Sequence, residues 1–394
     1  MAVPLLDLTR QYAQIREAVD REIAEVVASQ QFILGPRVEA FESAVASVIG
    51  APHAVGMSSG TDAQLAILMA LGIGRGDAVI TTPYTFFATA GCIERVGAEV
   101  LFVDIDPVTL NIDPARIAEC LAERCRRDAD GLLLSPRGNR VRAIIPVHLF
   151  GLCCDMDAIC ALAREYNLVV IEDAAQAIGA EYPGQSGAGR AGAIGEFGYF
   201  SFFPAKNLGA FGDAGLSTCR DAGDAETLRL MRNHGMEQRY YYRKVGGNFR
   251  IDALQAAILH AKLPFLATWN AARARNAERY AAGFEAAGVT DRIKLPARPY
   301  RGRVECDHIF HQYVLRVERR DELLKHLAAR GIGRAVYYPV SLHQQECFAH
   351  LGYQTGDFPE SERAAAETIA LPIFPELREE EIAEVIDAVA SFYR

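Results

Sequence analysis

The sequence predicts an α/β protein built on a mostly parallel sheet of seven strands that is sandwiched between helices. Two observations support this prediction. Between residues 53 and 218, short continuous apolar runs alternate with helix-length segments, a pattern typical of buried parallel strands joined by helices. After residue 250, two long helical stretches are followed by a strand, a helix, a strand and a final helix. We therefore expect a large α/β domain over residues 1–250 and a smaller C-terminal α/β domain over residues 251–394.

Apolar spacing predicts the individual elements in order. Residues 11–30 and 37–49 repeat apolar side chains every three to four positions, which indicates two amphipathic helices before the sheet. The seven strands are expected at 53–57, 78–82, 99–104, 142–148, 168–172, 197–203 and 215–218, with helices between them at 61–71, 85–96, 113–124 and 156–166. The small domain is expected to contain helices at 251–263, 266–287, 322–329 and 379–393, and strands at 310–317 and 335–338.

The composition excludes several classes of function. A net charge of −9 and a pI near 5.6 argue against a nucleic-acid surface, since phosphate binding requires clustered Lys and Arg. The nine cysteines form no CxxC pair and have no metal-ligand spacing with His, which favours a reducing cytosol and no metal site. We also expect no signal peptide, and no apolar run approaches the ~18 residues of a membrane span. The expectation is a cytoplasmic protein without nucleic-acid or membrane partners.

An acid follows one of the predicted strands. Ligands of a parallel sheet bind beyond the carboxyl ends of its strands, and Asp173 comes directly after the apolar strand at 168–172. Burying a carboxylate at this place costs free energy unless a cation pairs with it. A protonated pyridine nitrogen is one such cation, because the carboxylate keeps the ring protonated and able to accept electrons. The alternative is an aspartate that caps a helix.

A lysine lies in the most distinctive stretch of the chain. Lys206 stands between the aromatic run at 200–203 and the apolar, glycine-rich segment at 208–215. Withdrawal from water lowers the pKa of an amine, which is what a nucleophile needs to form a Schiff base. The alternative is a strand end whose lysine reaches solvent.

Residues after two further strands could also bind a ligand. Residues 58–62 (SSGTD) open a helix, and the N–H groups and dipole of a helix start attract a phosphate, although the same residues also make ordinary caps. Phe86 follows the strand at 78–82 and could stack on a flat ring or pack in the core. Together the four strand ends offer partners for the phosphate, ring face, ring nitrogen and aldehyde of pyridoxal 5′-phosphate (PLP).

Several short motifs, which follow one another along the chain, resemble those of a known protein family. They are GTDA at 60–63, EDAAQ at 172–176, SFFPAKNLG at 201–209, GDAG at 212–215, GNFR at 247–250, Asp252 and QAA at 255–257. With them, the chain resembles the DegT–StrS type of PLP-dependent sugar aminotransferases of fold type I over essentially its full length. The resemblance implies that the large domain binds PLP, and that the sheet has the seven strands predicted above.

The resemblance also implies roles for single residues. Lys206 is expected to bind the cofactor aldehyde covalently and then to move protons, and Asp173 to pair with the pyridine nitrogen. The remaining cofactor contacts are expected from Gln176 to the ring hydroxyl, Phe86 to the ring face, and Ser59, Gly60, Thr61 and Ser201 to the phosphate. Asn248 matches an asparagine that reaches the phosphate from the partner subunit, so the resemblance implies a homodimer with shared active sites.

The implied substrates are a nucleotide-linked keto-sugar and L-glutamate. The stretch 234–248 looks most like family members that aminate C3 of dTDP-3-keto-6-deoxyhexoses. Tyr338, His343 and Arg250 are the expected substrate contacts; the alternative for Tyr338 and His343 is a packing role. A UDP- or GDP-linked sugar, amination at C4, and the pathway (an O-antigen, S-layer or antibiotic sugar) stay open.

Two more remote alternatives remain. One is a desulfurase-like lyase on the same fold with Cys347 as sulfur acceptor, but Ala205 stands where such enzymes usually have histidine before the lysine. The other is a regulator that binds PLP or a nucleotide sugar as a signal, although the chain has no DNA-binding module or basic face.

Overall fold

The computed structural model describes residues 2–185 and 187–394. Up to residue 232 its elements are, in chain order, α1 (Leu8–Ser29), α2 (Pro36–Ile49), β1 (His53–Met57), α3 (Gly60–Ala70), β2 (Asp77–Thr81), α4 (Phe87–Arg95), β3 (Glu99–Phe102), α5 (Pro114–Glu119), β4 (Arg126–Arg127), β5 (Leu133–Leu134), β6 (Arg140–Ile144), α6 (Met156–Tyr166), β7 (Val169–Asp173), β8 (Glu181–Tyr182), β9 (Gly189–Arg190), β10 (Phe197–Ser201), β11 (Gly215–Cys219) and α7 (Ala222–Arg232). The rest are β12 (Met236–Gln238), β13 (Tyr241–Tyr242), α8 (Ala253–Lys262), α9 (Leu266–Ala286), β14 (Ile293–Lys294), β15 (Tyr313–Val317), α10 (Arg320–Ala329), α11 (Pro359–Glu367), β16 (Thr368–Leu371) and α12 (Glu379–Tyr393).

The central sheet has the predicted mostly parallel character. Among the described residues, seven strands lie side by side in the order β1-β11-β10-β7-β6-β2-β3, and the short β4 and β5 extend it beside β6. The pairs β10–β7, β7–β6, β6–β2 and β2–β3 are parallel, whereas β11 runs antiparallel to both β1 and β10. The connection from β10 to β11 contains no helix, and antiparallel neighbours need no crossover helix. This connection carries Lys206.

Buried apolar side chains cover both faces of the sheet. One face packs Phe41 of α2 and Phe200 of β10 in a shared core, and the other packs Val79 of β2 and Phe102 of β3 against α3 and α4. The fold prediction is therefore confirmed: the sheet is sandwiched between helices. In the described residues, no helix has both the length and the apolar character required to cross a bilayer.

The C-terminal region forms its own small sheet. The order β14-β15-β16 is antiparallel throughout, and α9, α10 and α12 pack on it around Tyr280, Leu315 and Val385. Helix α8 instead shares a cluster with α1 through Ile15 and Ile258. The boundary at residue 250 stays a prediction.

One predicted strand is wrong. Residues 335–338 make only an isolated bridge, from Ala335 to Ala370 of β16. The chain after that bridge makes no further ladder pairing, and Val336, Tyr337 and Tyr338 line a cavity instead. The helix predicted at 113–124 also ends early, at Glu119, and continues as a π-turn over Cys120–Arg124.

Candidate active site

A cavity of about 800 Å³ lies at the carboxyl ends of β7 and β10, beside the N-terminal end of α3. The small domain contributes β16 residues and the 311–312 and 336–338 segments to its wall. Most of the predicted site residues line this cavity: Ser59, Gly60, Thr61, Phe86, Asp173, Gln176, Ser201, Lys206 and Tyr338. The fold therefore gathers in one place residues that are more than a hundred positions apart in the sequence.

Asp173 ends β7 with its carboxylate at the cavity. Its Oδ2 accepts a hydrogen bond from Thr89 Oγ1 at 2.8 Å, and its Oδ1 accepts from the backbone N–H of Ala175 at 3.1 Å. A carboxylate has about four acceptor positions, so these two bonds orient the group and leave capacity for a cation. Asp173 is only 6% exposed, which makes a partner in the cavity energetically valuable.

Lys206 lies half-buried in the connection between β10 and β11. Burial lowers the pKa of its amine from 10.5 to about 8, against the opposing effect of the Asp173 charge. The loop around it is held by backbone hydrogen bonds from Lys206 N to Phe203 O at 2.8 Å and from Ala210 N to Phe202 O at 2.8 Å. A lysine with this pKa is partly neutral near physiological pH and can act as a nucleophile.

The start of α3 fits an anion. Ser59 caps the helix, and its Oγ accepts from the N–H of Asp62 at 3.0 Å. The preceding N–H groups, of Gly60 and Thr61, belong to the first turn, where the helix offers no internal acceptor. A Cβ on Gly60 would stand 2.8 Å from Ser201 Cβ, and one on Gly215 would stand 2.3 Å from the Ser59 carbonyl carbon. These glycines allow α3 to approach the ends of β10 and β11 closely.

Gln176, Tyr338 and Phe86 form another part of the cavity wall. The Gln176 amide accepts from the Phe150 N–H at 2.7 Å and donates to the Tyr338 hydroxyl at 2.9 Å. Burial raises the pKa of Tyr338 well above its usual value, so its hydroxyl stays protonated. Phe86 is 58% exposed, and its ring lies 6.2 Å from that of Tyr338. Phe86 thus belongs to the cavity surface and not to the core.

Three predicted residues lie elsewhere. The His343 ring is buried outside the cavity between Ser341 Oγ at 2.9 Å and Glu362 Oε1 at 3.0 Å, so nothing in its placement supports a substrate contact. Asn248 and Arg250 line a neighbouring depression of about 440 Å³. Asp213 borders both this depression and the main cavity.

Several residues that line the cavity are not among those predicted from the sequence. Thr89 of α4 donates to Asp173 and also bonds Thr85, four positions earlier. Two hydroxyl residues at this spacing, just after a predicted strand, could have indicated that Thr89 belongs to the site. Arg273, His311 and Gln312 come from the small domain and carry no local signal. Burial, together with the charges of Lys206 and Arg273, lowers the pKa of His311 well below its usual value, so its imidazole is neutral.

The cavity fits PLP by its chemistry. It offers helix-start N–H groups for a phosphate, an acceptor for a ring nitrogen, an exposed aromatic ring and a lysine of lowered pKa. A family model described as the DegT/DnrJ/EryC1/StrS aminotransferase family matches residues 13–390. The chain belongs to this family. The resemblance inferred from the motifs is thereby confirmed, and the protein is a PLP-dependent aminotransferase.

Relatives with curated names match over nearly the full length of this aminotransferase. It is 46% identical to a pleiotropic regulatory protein of Geobacillus stearothermophilus, covering 100% of this chain and 99% of that one. It is 42% identical to a UDP-N-acetyl-3-dehydro-alpha-D-glucosamine 3-aminotransferase of Acidithiobacillus ferrooxidans, covering 98% and 97%. It is 38% identical to a dTDP-3-amino-3,4,6-trideoxy-alpha-D-glucose transaminase of Streptomyces venezuelae, covering 98% and 95%.

A solved structure supports the same fold. The crystal structure of DesV from S. venezuelae, in complex with a ketimine intermediate, superposes with a TM-score of 0.89 and 37% identity. The match covers 99% of this chain and 98% of that one. The fold-type-I architecture predicted from the sequence is therefore confirmed.

Proposed function

We propose that this aminotransferase moves the amino group of L-glutamate to C3 of a dTDP-linked 3-keto-6-deoxyhexose, for synthesis of a deoxyamino sugar. The observation that carries the proposal is the convergence of Lys206, Asp173 and the start of α3 on one cavity. Support for the sugar carbon comes from two relatives whose names specify an amino group at C3, one dTDP-linked and one UDP-linked. A UDP- or GDP-linked sugar, or amination at C4, is the alternative within this class.

The placement of the residues supports a role for each of them. When bound, PLP supplies an aldehyde and an electron-accepting ring. The N–H groups of Gly60 and Thr61, with the Ser59 and Ser201 hydroxyls, would hold the phosphate. Asp173 would keep the ring nitrogen protonated, which places a positive charge where electrons accumulate during proton transfer.

Other parts of the wall would position the ring and the reacting atoms. Gln176, which donates to Tyr338, would bond the ring hydroxyl, and the exposed Phe86 would pack on the ring. Lys206 Nζ would hold the cofactor covalently, then remove a proton from the amino-acid α-carbon and deliver it to the cofactor carbon. Tyr338 is the expected contact for the sugar. It lines the cavity beside Gln176, and its protonated hydroxyl can donate a hydrogen bond.

A homodimer with shared sites is part of the proposal. Asn248 is exposed on the surface depression that meets the cavity at Asp213. The adjoining hairpin of β12 and β13 exposes Tyr240, Tyr241 and Val245 by 71%, 71% and 88%, and large exposed apolar groups of this kind favour a protein contact. In the dimer, Asn248 would reach the partner's phosphate and Arg250 the partner's substrate. A cytoplasmic location is proposed with it, since nucleotide sugars are its substrates.

The substrate proposal is tested by the reverse half-reaction. The PLP-loaded protein is mixed with dTDP-3-amino, UDP-3-amino and GDP-4-amino sugars, and loss of the visible absorbance of the lysine-bound cofactor is followed. We expect the highest kcat/KM with the dTDP-3-amino sugar. A preference of tenfold or more for another nucleotide or carbon would overturn the assignment.

A second candidate function has one observation in its favour. A relative at 46% identity is named as a pleiotropic regulatory protein, so a role as a PLP-dependent signal sensor deserves a direct test. Glutamate is added to the loaded protein without any sugar, and the 2-oxoglutarate released is measured. One equivalent per site indicates an enzyme, whereas binding without release indicates a pure sensor.

A further inference from the structure

A buried hydroxyl in the cavity floor has no partner. Tyr199 lies on β10, is 2% exposed, and its hydroxyl has no hydrogen bond with any group in residues 2–185 and 187–394. Buried polar groups are nearly always bonded, and each exception calls for an explanation. Tyr199 also lines the cavity, beside Thr89 and Asp173.

The strand register fixes Tyr199 next to Asp173. The two residues are opposite each other in the parallel pairing of β10 with β7, and the N–H of Ala174 donates to Tyr199 O at 3.0 Å. Burial and the negative charge of Asp173 raise the pKa of Tyr199 well above its usual value. The phenol is therefore protonated at every relevant pH and can donate a hydrogen bond.

The Asp173 carboxylate has acceptor positions that no donor occupies. Thr89 and the Ala175 N–H occupy two of the four acceptor positions of its carboxylate. A ring nitrogen in the cavity would use a third. The fourth remains for a donor from within the protein, and Tyr199, the residue opposite Asp173 in the sheet, carries a hydroxyl that has no other partner.

We propose that Tyr199 is a positioning residue that donates to the Asp173 carboxylate and, with Thr89, holds it in the orientation that binds the ring nitrogen. The inference rests on PLP as the cofactor, but on neither the sugar nor the nucleotide. Tyr199 would act through the Asp173 carboxylate and not on the reacting atoms. Its effect is therefore expected on cofactor binding and on the ring nitrogen, and not on the stability of the unloaded protein.

The test compares two tyrosines of the same kind. Tyr313 on β15 is also buried and its hydroxyl is also without a partner among the described residues, but it does not line the cavity. Tyr199→Phe and Tyr313→Phe each remove one oxygen, and both unloaded proteins should be as stable as wild type or slightly more so, because a buried hydroxyl without a partner is unfavourable.

The dissociation constant of PLP and the ¹⁵N resonance of its labelled ring nitrogen are then measured. A hydrogen bond to a charged group predicts about a tenfold weaker binding and a displaced resonance for Tyr199→Phe, with both unchanged for Tyr313→Phe. Equal binding and an unmoved resonance for Tyr199→Phe would overturn the proposal. Failure of the wild-type protein to take up PLP would instead contradict the cofactor assignment, so the two failures are distinguishable.

Discussion

Two neighbouring acids and two lysines of lowered pKa contrast a closed region, where such groups are bonded within the protein, with an open region, where they face the cavity. Glu172 and Asp173 are consecutive on β7, so their side chains point to opposite faces of the strand. Glu172 is fully buried and accepts from His148 Nε2 at 2.8 Å and from three backbone N–H groups, those of Gly192, Ile194 and Gly195. Asp173 has only two donors and faces the cavity.

The lysines repeat this contrast. Burial lowers the pKa of both Lys206 and Lys262 to about 8. Lys262, however, is 2% exposed and donates to Gly209 O at 2.5 Å, in the loop that follows Lys206. A lowered pKa or a buried acid does not by itself mark a functional group. What distinguishes Lys206 and Asp173 is unused bonding capacity that faces a cavity.

The largest effect is expected at the open lysine. Lys206→Ala removes both the covalent attachment and the proton carrier, so transamination should fall by at least about 10³-fold. Lys262→Met is the matched control, since Lys262 is also buried but outside the cavity. We expect it to retain covalent cofactor binding and to unfold at a lower urea concentration. Equal losses of activity in the two variants would remove the distinction between the regions.

The open acid should give the next largest effect. Asp173→Asn keeps the shape of the side chain but no longer supports a protonated ring nitrogen, so the glutamate half-reaction should slow by about 10²-fold. The rate is measured by stopped-flow absorbance with saturating PLP. A variant that reacts at the wild-type rate would show that the carboxylate charge plays no part.

The closed acid should affect stability instead. Glu172→Gln leaves two of the donors around it without an acceptor, because one carboxylate oxygen becomes an N–H₂ group. The free energy of unfolding should fall by about 3 kcal/mol, as measured with urea, whereas Asp173→Asn should change it by less than about 1 kcal/mol. The reverse order of these two values would contradict the contrast between the acids.

The smallest effect concerns pH. Only the neutral amine attacks an aldehyde, so the rate of PLP uptake by the unloaded protein should rise with pH and level off above the Lys206 pKa of about 8. Lys262→Met should keep this midpoint, although burial lowers the pKa of Lys262 to a similar value. A midpoint that moves in Lys262→Met would show that the titration belongs to Lys262 and not to Lys206.

The cofactor side of the cavity could be predicted from the sequence because each of its groups lies at the carboxyl end of a strand or a few residues beyond it. Asp173, Lys206, Phe86 and the start of α3 are local features of an alternating pattern. The small-domain side could not be predicted in this way, since His311 and Gln312 reach the cavity only through the packing of a separate sheet.

The role of His343 as a substrate contact stays a prediction. The residue lies in a segment that resembles the family's substrate side, yet both of its ring nitrogens have protein partners. Tyr199 shows a limit of sequence patterns, because one aromatic residue in an aromatic strand gives no indication that its hydroxyl is unpaired beside an acid. Bonding capacity depends on neighbours that are distant in the sequence.

Borohydride trapping tests the central claim most directly. The loaded protein is reduced, digested, and the peptide that carries the cofactor is identified by mass spectrometry. The open arrangement of Lys206 predicts that the label is on Lys206 alone, and that Lys262, of similar pKa, is unlabelled at stoichiometric PLP. Label on Lys262, or equal label on the two lysines, would contradict the account.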